Sequence, residues 1–149
     1  MNTIIEAKRH LRENFNTGTD CPCCGQFVKL YKRKLGSSQS RSLILLYSLN
    51  QKSEWIHSRE ITKKINITGD FAKLVYWNLI LEKPKSKEDK RSSGFWKLTQ
   101  RGKDFVLGNI KIPSHVFIYN ASLQGFSNEQ IFIHSALGKK FSYNELMNI

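Results

Sequence analysis

Phe95-Trp96-Lys97-Leu98-Thr99-Gln100-Arg101-Gly102-Lys103-Asp104-Phe105 is the stretch on which the fold turns. Its aromatic and apolar start, from Gly94 to Leu98, predicts a strand. Thr99 then offers a side-chain oxygen at the N-cap of a helix carrying Phe105, Val106 and Leu107, which Gly108 ends. Just upstream, Ile80-Leu81-Glu82 predicts a partner strand. The residues from Lys83 to Ser93 are polar and charged, so the two strands make a hairpin with a long basic tip.

Further upstream, Leu43, Ile44, Leu46, Tyr47 and Leu49 form a broad apolar stripe that predicts a buried helix from Ser40 to Leu49. Glu54-Trp55-Ile56-His57 predicts a very short strand. Ser58 is placed to cap a helix through Ile65, with Glu60 in its first turn favoured by the helix dipole. After a break at Asn66 and Gly69, a third helix opens at Thr68 or Asp70, with Phe71, Leu74, Val75 and Leu79 on one apolar face.

This order of helix, strand, helix, helix and hairpin resembles the winged helix-turn-helix superfamily over residues 38–108. The last wing strand and following helix of such domains often carry Leu-Thr-x-x-Gly-x-x-Phe, which here is Leu98 to Phe105. The resemblance implies that the third helix, Thr68 through Trp77, lies in the major groove and that the loop from Lys83 to Arg91 lies along the backbone. The expected fold is therefore α+β and mainly helical. A winged-helix core (38–108) follows an N-terminal helix, cysteine knuckle and basic segment (1–37), and a C-terminal hairpin-and-helix addition (109–149) comes after it. In that addition Val116 to Tyr119 and Leu123 to Phe126 predict a hairpin, and Ser127 with Gln130 and Ser142 with Glu145 form capping boxes for short helices.

Charge points to the partner. The chain of 149 residues has 24 Lys and Arg against 12 Asp and Glu, a net charge of +12, as expected of a polyanion binder. The excess is local, since residues 27–51 hold five cations and no acid while residues 1–26 and 104–149 are each balanced. A solvated charged face is the competing reading. The candidate contacts are Lys29, Lys32, Arg33, Lys34, Arg41, Thr68, Lys73, Tyr76, Lys83, Lys85, Lys87, Lys90 and Arg91. The third helix has Lys73 as its lone cation and starts near Asp70, whereas the wing holds five cations, so phosphate and shape contacts are favoured over base readout. Double-stranded DNA is the expected partner; a homodimer or a host-protein contact is the alternative. Tyr76, Trp77, Trp55 and Trp96 are read as core aromatics ahead of base-stacking partners.

Cys21-Pro22-Cys23-Cys24-Gly25 resembles half of a zinc ribbon, with two thiolates at i and i+3 and a glycine for the turn. A structural zinc is the cofactor this implies. Tetrahedral zinc needs four ligands, so two must come from Cys23, from His10, His57, His115 or His134, or from a second chain. His57 and His115 are preferred because each follows an element boundary. The knuckle, the Lys29 to Leu35 stretch and the Pro113-Ser114-His115-Val116 segment are also similar to small bacteriophage-type proteins of no known activity.

Three cysteines packed within four positions build no disulfide framework, which points to a reducing cytoplasm. No leader-like apolar run follows the N-terminus and no stretch is long and apolar enough to span a bilayer, so a membrane partner is not expected. No phosphate-binding glycine loop and no convergent acid, base and nucleophile appear, so an enzyme is not expected either.

Overall fold

The computed structural model of the chain describes residues 3–66, 69–85 and 93–148. In order, its elements are α1 (Ile4–Glu13), β1 (Thr19–Asp20), β2 (Phe27–Val28), β3 (Tyr31–Lys34), α2 (Ser37–Asn50), β4 (Ile56–His57) and α3 (Ser58–Lys64). A 3₁₀ helix (Gly69–Trp77), β5 (Ile80–Glu82), β6 (Phe95–Leu98), α4 (Gln100–Val106) and β7 (Ile112–Pro113) follow. The chain closes with β8 (His115–Tyr119), β9 (Ser122–Phe126), β10 (Gln130–Ile131), α5 (Ile133–Leu137) and α6 (Tyr143–Met147). The architecture is α+β, with several small sheets beside the helices. Among the described residues no helix is long and apolar enough to cross a membrane.

The chain divides into two compact units, Met1–Lys34 with His115–Ser127, and Leu35–Ser114 with Asn128–Ile149. In the first, β8 is the middle strand of an antiparallel sheet ordered β3-β8-β9. The basic stretch of the N-terminal segment and the hairpin of the C-terminal segment thus share one sheet. That hairpin turns through Asn120 and Ala121, both at positive φ (49° and 60°), between the paired residues Tyr119 and Ser122. Two left-handed residues match the twist of the flanking strands, which is why so short a turn suffices. Thr3 caps α1 by accepting the Glu6 N–H, and Phe15 beyond it meets Tyr119 edge-on at 5.2 Å.

In the second unit α2 is the central element, with α3, α4, α5, α6, β6 and the 3₁₀ helix packed on it. Leu43, Ile44 and Leu46 are buried there, and the buried hydroxyls of Ser40 and Ser42 donate to the carbonyls of Gly36 and Ser38, both at 2.9 Å. Burial without partners would cost these hydroxyls free energy; the bonds back along the helix remove that cost. The small sheet is ordered β4-β6-β5, so the last strand to be made sits between the other two.

The stretch from Leu98 to Phe105 has a physical reason for each of its marked residues. Leu98 and Phe105 are buried. The Thr99 hydroxyl accepts the Gly102 N–H at 2.9 Å and donates to the Asn78 carbonyl at 2.7 Å, which ties the start of α4 to the end of the 3₁₀ helix. Gly102 is where α4 meets backbone, because a Cβ there would collide with the Leu79 carbonyl oxygen.

Three local readings are corrected. The third helix is 3₁₀ rather than α, and its turn of three residues stacks Phe71, Leu74 and Trp77 in one buried row. Val75, expected inside, is 43% exposed, while Trp77 is 1% exposed. The cap of α3 is His57 rather than Ser58: its backbone is still extended, and its Nδ1 accepts the Arg59 N–H at 3.1 Å. Ser127 and Gln130 open no helix. Ser127 closes the β8–β9 hairpin through two hydrogen bonds of 3.0 Å with the His115 backbone, and Gln130 enters β10, paired with β7.

Candidate nucleic-acid interface

In the second unit the antiparallel pairing of β5 with β6 builds the expected hairpin. The Lys83 N–H donates to the Phe95 carbonyl at 2.8 Å, which extends the pairing by one step beyond β5. Lys83 and Lys85 leave the strand exposed to solvent. The Lys83 ammonium stands 5.6 Å from the centre of the Phe95 ring, and Phe95 is itself exposed, so a cation and an aromatic face are presented together. Lys87, Lys90 and Arg91 lie outside the described residues, as does Thr68.

The 3₁₀ helix turns Ala72 and Val75 to solvent, with Lys73 and Tyr76 half-buried beside them. Lys73 is held 3.0 Å from Asp70. Its charge is therefore partly met within the chain, and the exposed side of this helix is mostly uncharged. Trp77 and Trp96 are core residues, and the Trp77 indole N–H donates to the Pro113 carbonyl at 2.7 Å. Trp55 is half-buried with the Lys97 ammonium 4.7 Å over its ring, and Lys97 also pairs with Glu54 at 2.8 Å. That hydrogen bond and charge hold the Glu54 carboxyl below its ordinary range.

Arg41 is half-buried with its guanidinium 4.9 Å from the centre of the Phe141 ring. It lines a groove of about 390 Å³ together with Ile44, Leu49, Lys52, Lys64 and Leu146. Lys52 and Lys64 are cations that sequence patterning does not single out. Their signal in the sequence is charge alone, and only the packing of α2 beside α3 sets them on one groove.

In the first unit the basic stretch becomes strand β3, in which Tyr31, Lys32, Arg33 and Lys34 are all exposed. Lys29 and Arg33 flank the Tyr31 ring at 5.4 and 5.2 Å from its centre. Alternation along β3 sets Tyr31 and Arg33 on one side of it, while Lys32 and Lys34 point to the other. Tyr31 is absent from the candidates chosen on sequence; a tyrosine between two cations at a spacing of two residues is the signal that could have found it.

The knuckle lies between β1 and β2. The Cys21 N–H donates to the Gln26 carbonyl at 2.7 Å and the Gly25 N–H to the Cys21 carbonyl at 2.8 Å, with Gly25 at φ 78°. The three thiols are free, Cys21 half-buried and Cys23 and Cys24 exposed. Backbone N–H groups of Cys23 and Cys24 donate to the Cys21 sulfur and, with the neighbouring thiols, hold it below the ordinary thiol range. Among the described residues no group of three or more His, Cys, Asp or Glu is gathered for a metal; His57 lies in the second unit, and His115 lies in β8 of the first.

Comparison of the chain with protein-family models, curated proteins and solved structures gave no match.

Proposed function

We propose that this chain is a winged-helix protein that binds nucleic acid, with double-stranded DNA as its partner, and acts as a regulator rather than an enzyme. In this reading α2, α3 and the 3₁₀ helix are the three helices, β4, β6 and β5 form the wing sheet, and the 3₁₀ helix enters the groove. The observation that carries it is the β5–β6 hairpin, at whose end Lys83 stands beside the exposed Phe95 and Lys85 is exposed to solvent. A loop of this composition lies along phosphates. The 3₁₀ helix, with Lys73 paired to Asp70, adds groove shape and apolar contact rather than a dense set of base-reading donors.

A salt titration of binding to a random-sequence duplex tests this. Replacing Lys83, Lys85, Lys87, Lys90 and Arg91 with Ser should weaken binding and flatten the salt dependence by about one unit for each phosphate no longer neutralised. Unchanged affinity and slope would remove the wing from the interface. The second reading, a module that contacts a host protein, draws on the groove lined by Arg41, Ile44, Leu49 and Leu146. It gains ground if duplex affinity falls no faster with salt than that of a neutral control protein.

A further inference from the structure

Lys8, Leu11, Arg12 and Phe15 recur at i, i+3, i+4 and i+7, the spacing that brings residues of a helix to one face. The first three belong to α1, and Phe15 lies just past its end. All four line an open cleft of about 520 Å³ in the first unit, completed by Cys21, Cys24 and Gln26 of the knuckle, by Val28 of β2 and by Tyr119 of β8. Hydrogen bonds hold its walls together. The His10 Nε2 is 2.9 Å from the Thr19 hydroxyl, the Gly18 N–H donates to the Asn14 carbonyl at 2.8 Å, and the Leu30 N–H donates to the Phe15 carbonyl at 2.8 Å. These bonds tie the end of α1 to the segments around β1 and β2, so the cleft is formed before anything fills it, as small-molecule sites usually are.

Val28 is buried and Leu11, Phe15 and Tyr119 are half-buried, which gives the cleft an apolar, partly aromatic lining. Lys8 and Arg12 are exposed on it, one helical turn apart. Residues four apart on a helix have Cβ atoms about 5 to 6 Å from each other, so both cations can reach one anionic group. No Asp or Glu lines the cleft, and among the described residues neither cation makes an ion pair. Like charges at this spacing destabilise a helix, and an anion bound between them removes the repulsion.

We propose that this cleft binds a small aromatic acid, its anionic group held between Lys8 and Arg12 and its ring set against Leu11, Phe15 and Tyr119. The arginine fork can take two oxygens of the acid at once, while the lysine supplies a point charge. Aromatic side chains favour a flat apolar body over a flexible one, because rings meet edge to face or offset. An acid without such a body would leave the apolar lining in water, and a neutral ring would leave the two cations unmet. Cleft and wing share no residue, and the site does not depend on the chain binding nucleic acid.

Two fluorescent probes, measured on the full chain, test this: anilinonaphthalene sulfonate, an aromatic acid, and phenylnaphthylamine, the same rings without the acidic group. The expected result is saturable binding of the sulfonate, with the neutral probe held about tenfold more weakly. Replacing Lys8 and Arg12 together, as Lys8→Gln and Arg12→Gln, should weaken the sulfonate by about tenfold and leave the neutral probe unchanged. Gln26→Glu, at an exposed position, should also weaken the sulfonate by adding a carboxylate to the lining. In the unaltered chain, bound sulfonate should slow alkylation by N-ethylmaleimide at Cys24, which lines the cleft, and not at the exposed Cys23, which does not. Equal affinity for the two probes, sulfonate binding that survives the Lys8 and Arg12 changes, or an unprotected Cys24 would overturn the proposal. So would displacement of the sulfonate by a random-sequence duplex, which would make the cleft part of a nucleic-acid surface.

Discussion

Gly102 and Ala121 show how much a single Cβ decides. Gly102 sits in the first turn of α4, where its missing side chain lets the helix rest on the Leu79 carbonyl. Gly102→Ala should therefore destabilise the protein by about 1 to 3 kcal/mol, the usual cost of overpacking, although alanine is the better helix former. Ala121 is the opposite case. It holds a φ of 60° in a two-residue turn, a conformation that a Cβ disfavours by about 1 kcal/mol. Ala121→Gly should raise the urea midpoint, and a lowered midpoint would show that the turn differs from the one described. His57 belongs at this scale as well, since its ring nitrogen is used as a helix cap. In sequence that histidine is indistinguishable from a metal ligand, because its role depends on the backbone conformation of His57 itself.

At the scale of the element, the segment Gly69–Trp77 is the clearest divergence between sequence pattern and structure. Phe71, Leu74, Val75 and Leu79 fit an α-helical face, whereas Phe71, Leu74 and Trp77 fit a repeat of three, and the chain adopts the second. What decides is Trp77, whose large ring gains burial and a hydrogen bond to Pro113 only if the helix is wound tightly enough to turn it inward. Leu74→Ala should cost roughly 2 to 5 kcal/mol and Trp77→Ala about 3 to 5, while Val75→Ala should change stability by less than about 0.5. Equilibrium denaturation of the three variants settles the winding, because an α-helical segment would make Val75→Ala expensive as well. The strand β3 was hidden for a different reason. Tyr31-Lys32-Arg33-Lys34 has no apolar alternation, all four side chains being exposed, and its strand conformation comes from pairing with β8, more than eighty positions away. Two-residue strands such as β7 and β10 are likewise too short for periodicity to register.

For the molecule as a whole, the cations selected from sequence fall into two groups, Lys29, Lys32, Arg33 and Lys34 in one compact unit and Arg41, Lys73, Lys83 and Lys85 in the other. If both groups touch the same duplex, replacing Lys32, Arg33 and Lys34 with Ser should flatten the salt dependence in addition to the wing changes, by about one unit per phosphate released. A slope that responds to the wing alone would assign the interface to the second unit. Independent sites contribute additively, so the combined variant should show the sum of the two changes.

The order of elements from α2 to α4 was legible because each has its own local signal: an apolar stripe, a capping threonine, β-favouring runs around a polar connection. Net charge, its concentration in the middle of the chain and the knuckle spacing are likewise properties of the sequence and hold whatever the fold. Tertiary structure decided the rest. It set the winding of the 3₁₀ helix, made β3 a strand, gave Ser127 to a hairpin instead of a helix, and placed Lys52 and Lys64 on the groove with Arg41. These outcomes share one physical reason. Each depends on a partner distant in sequence, whether a carbonyl for an indole, a strand for a strand or a backbone amide for a hydroxyl, and the free energy of that contact outweighs the few tenths of a kcal/mol by which local propensities differ.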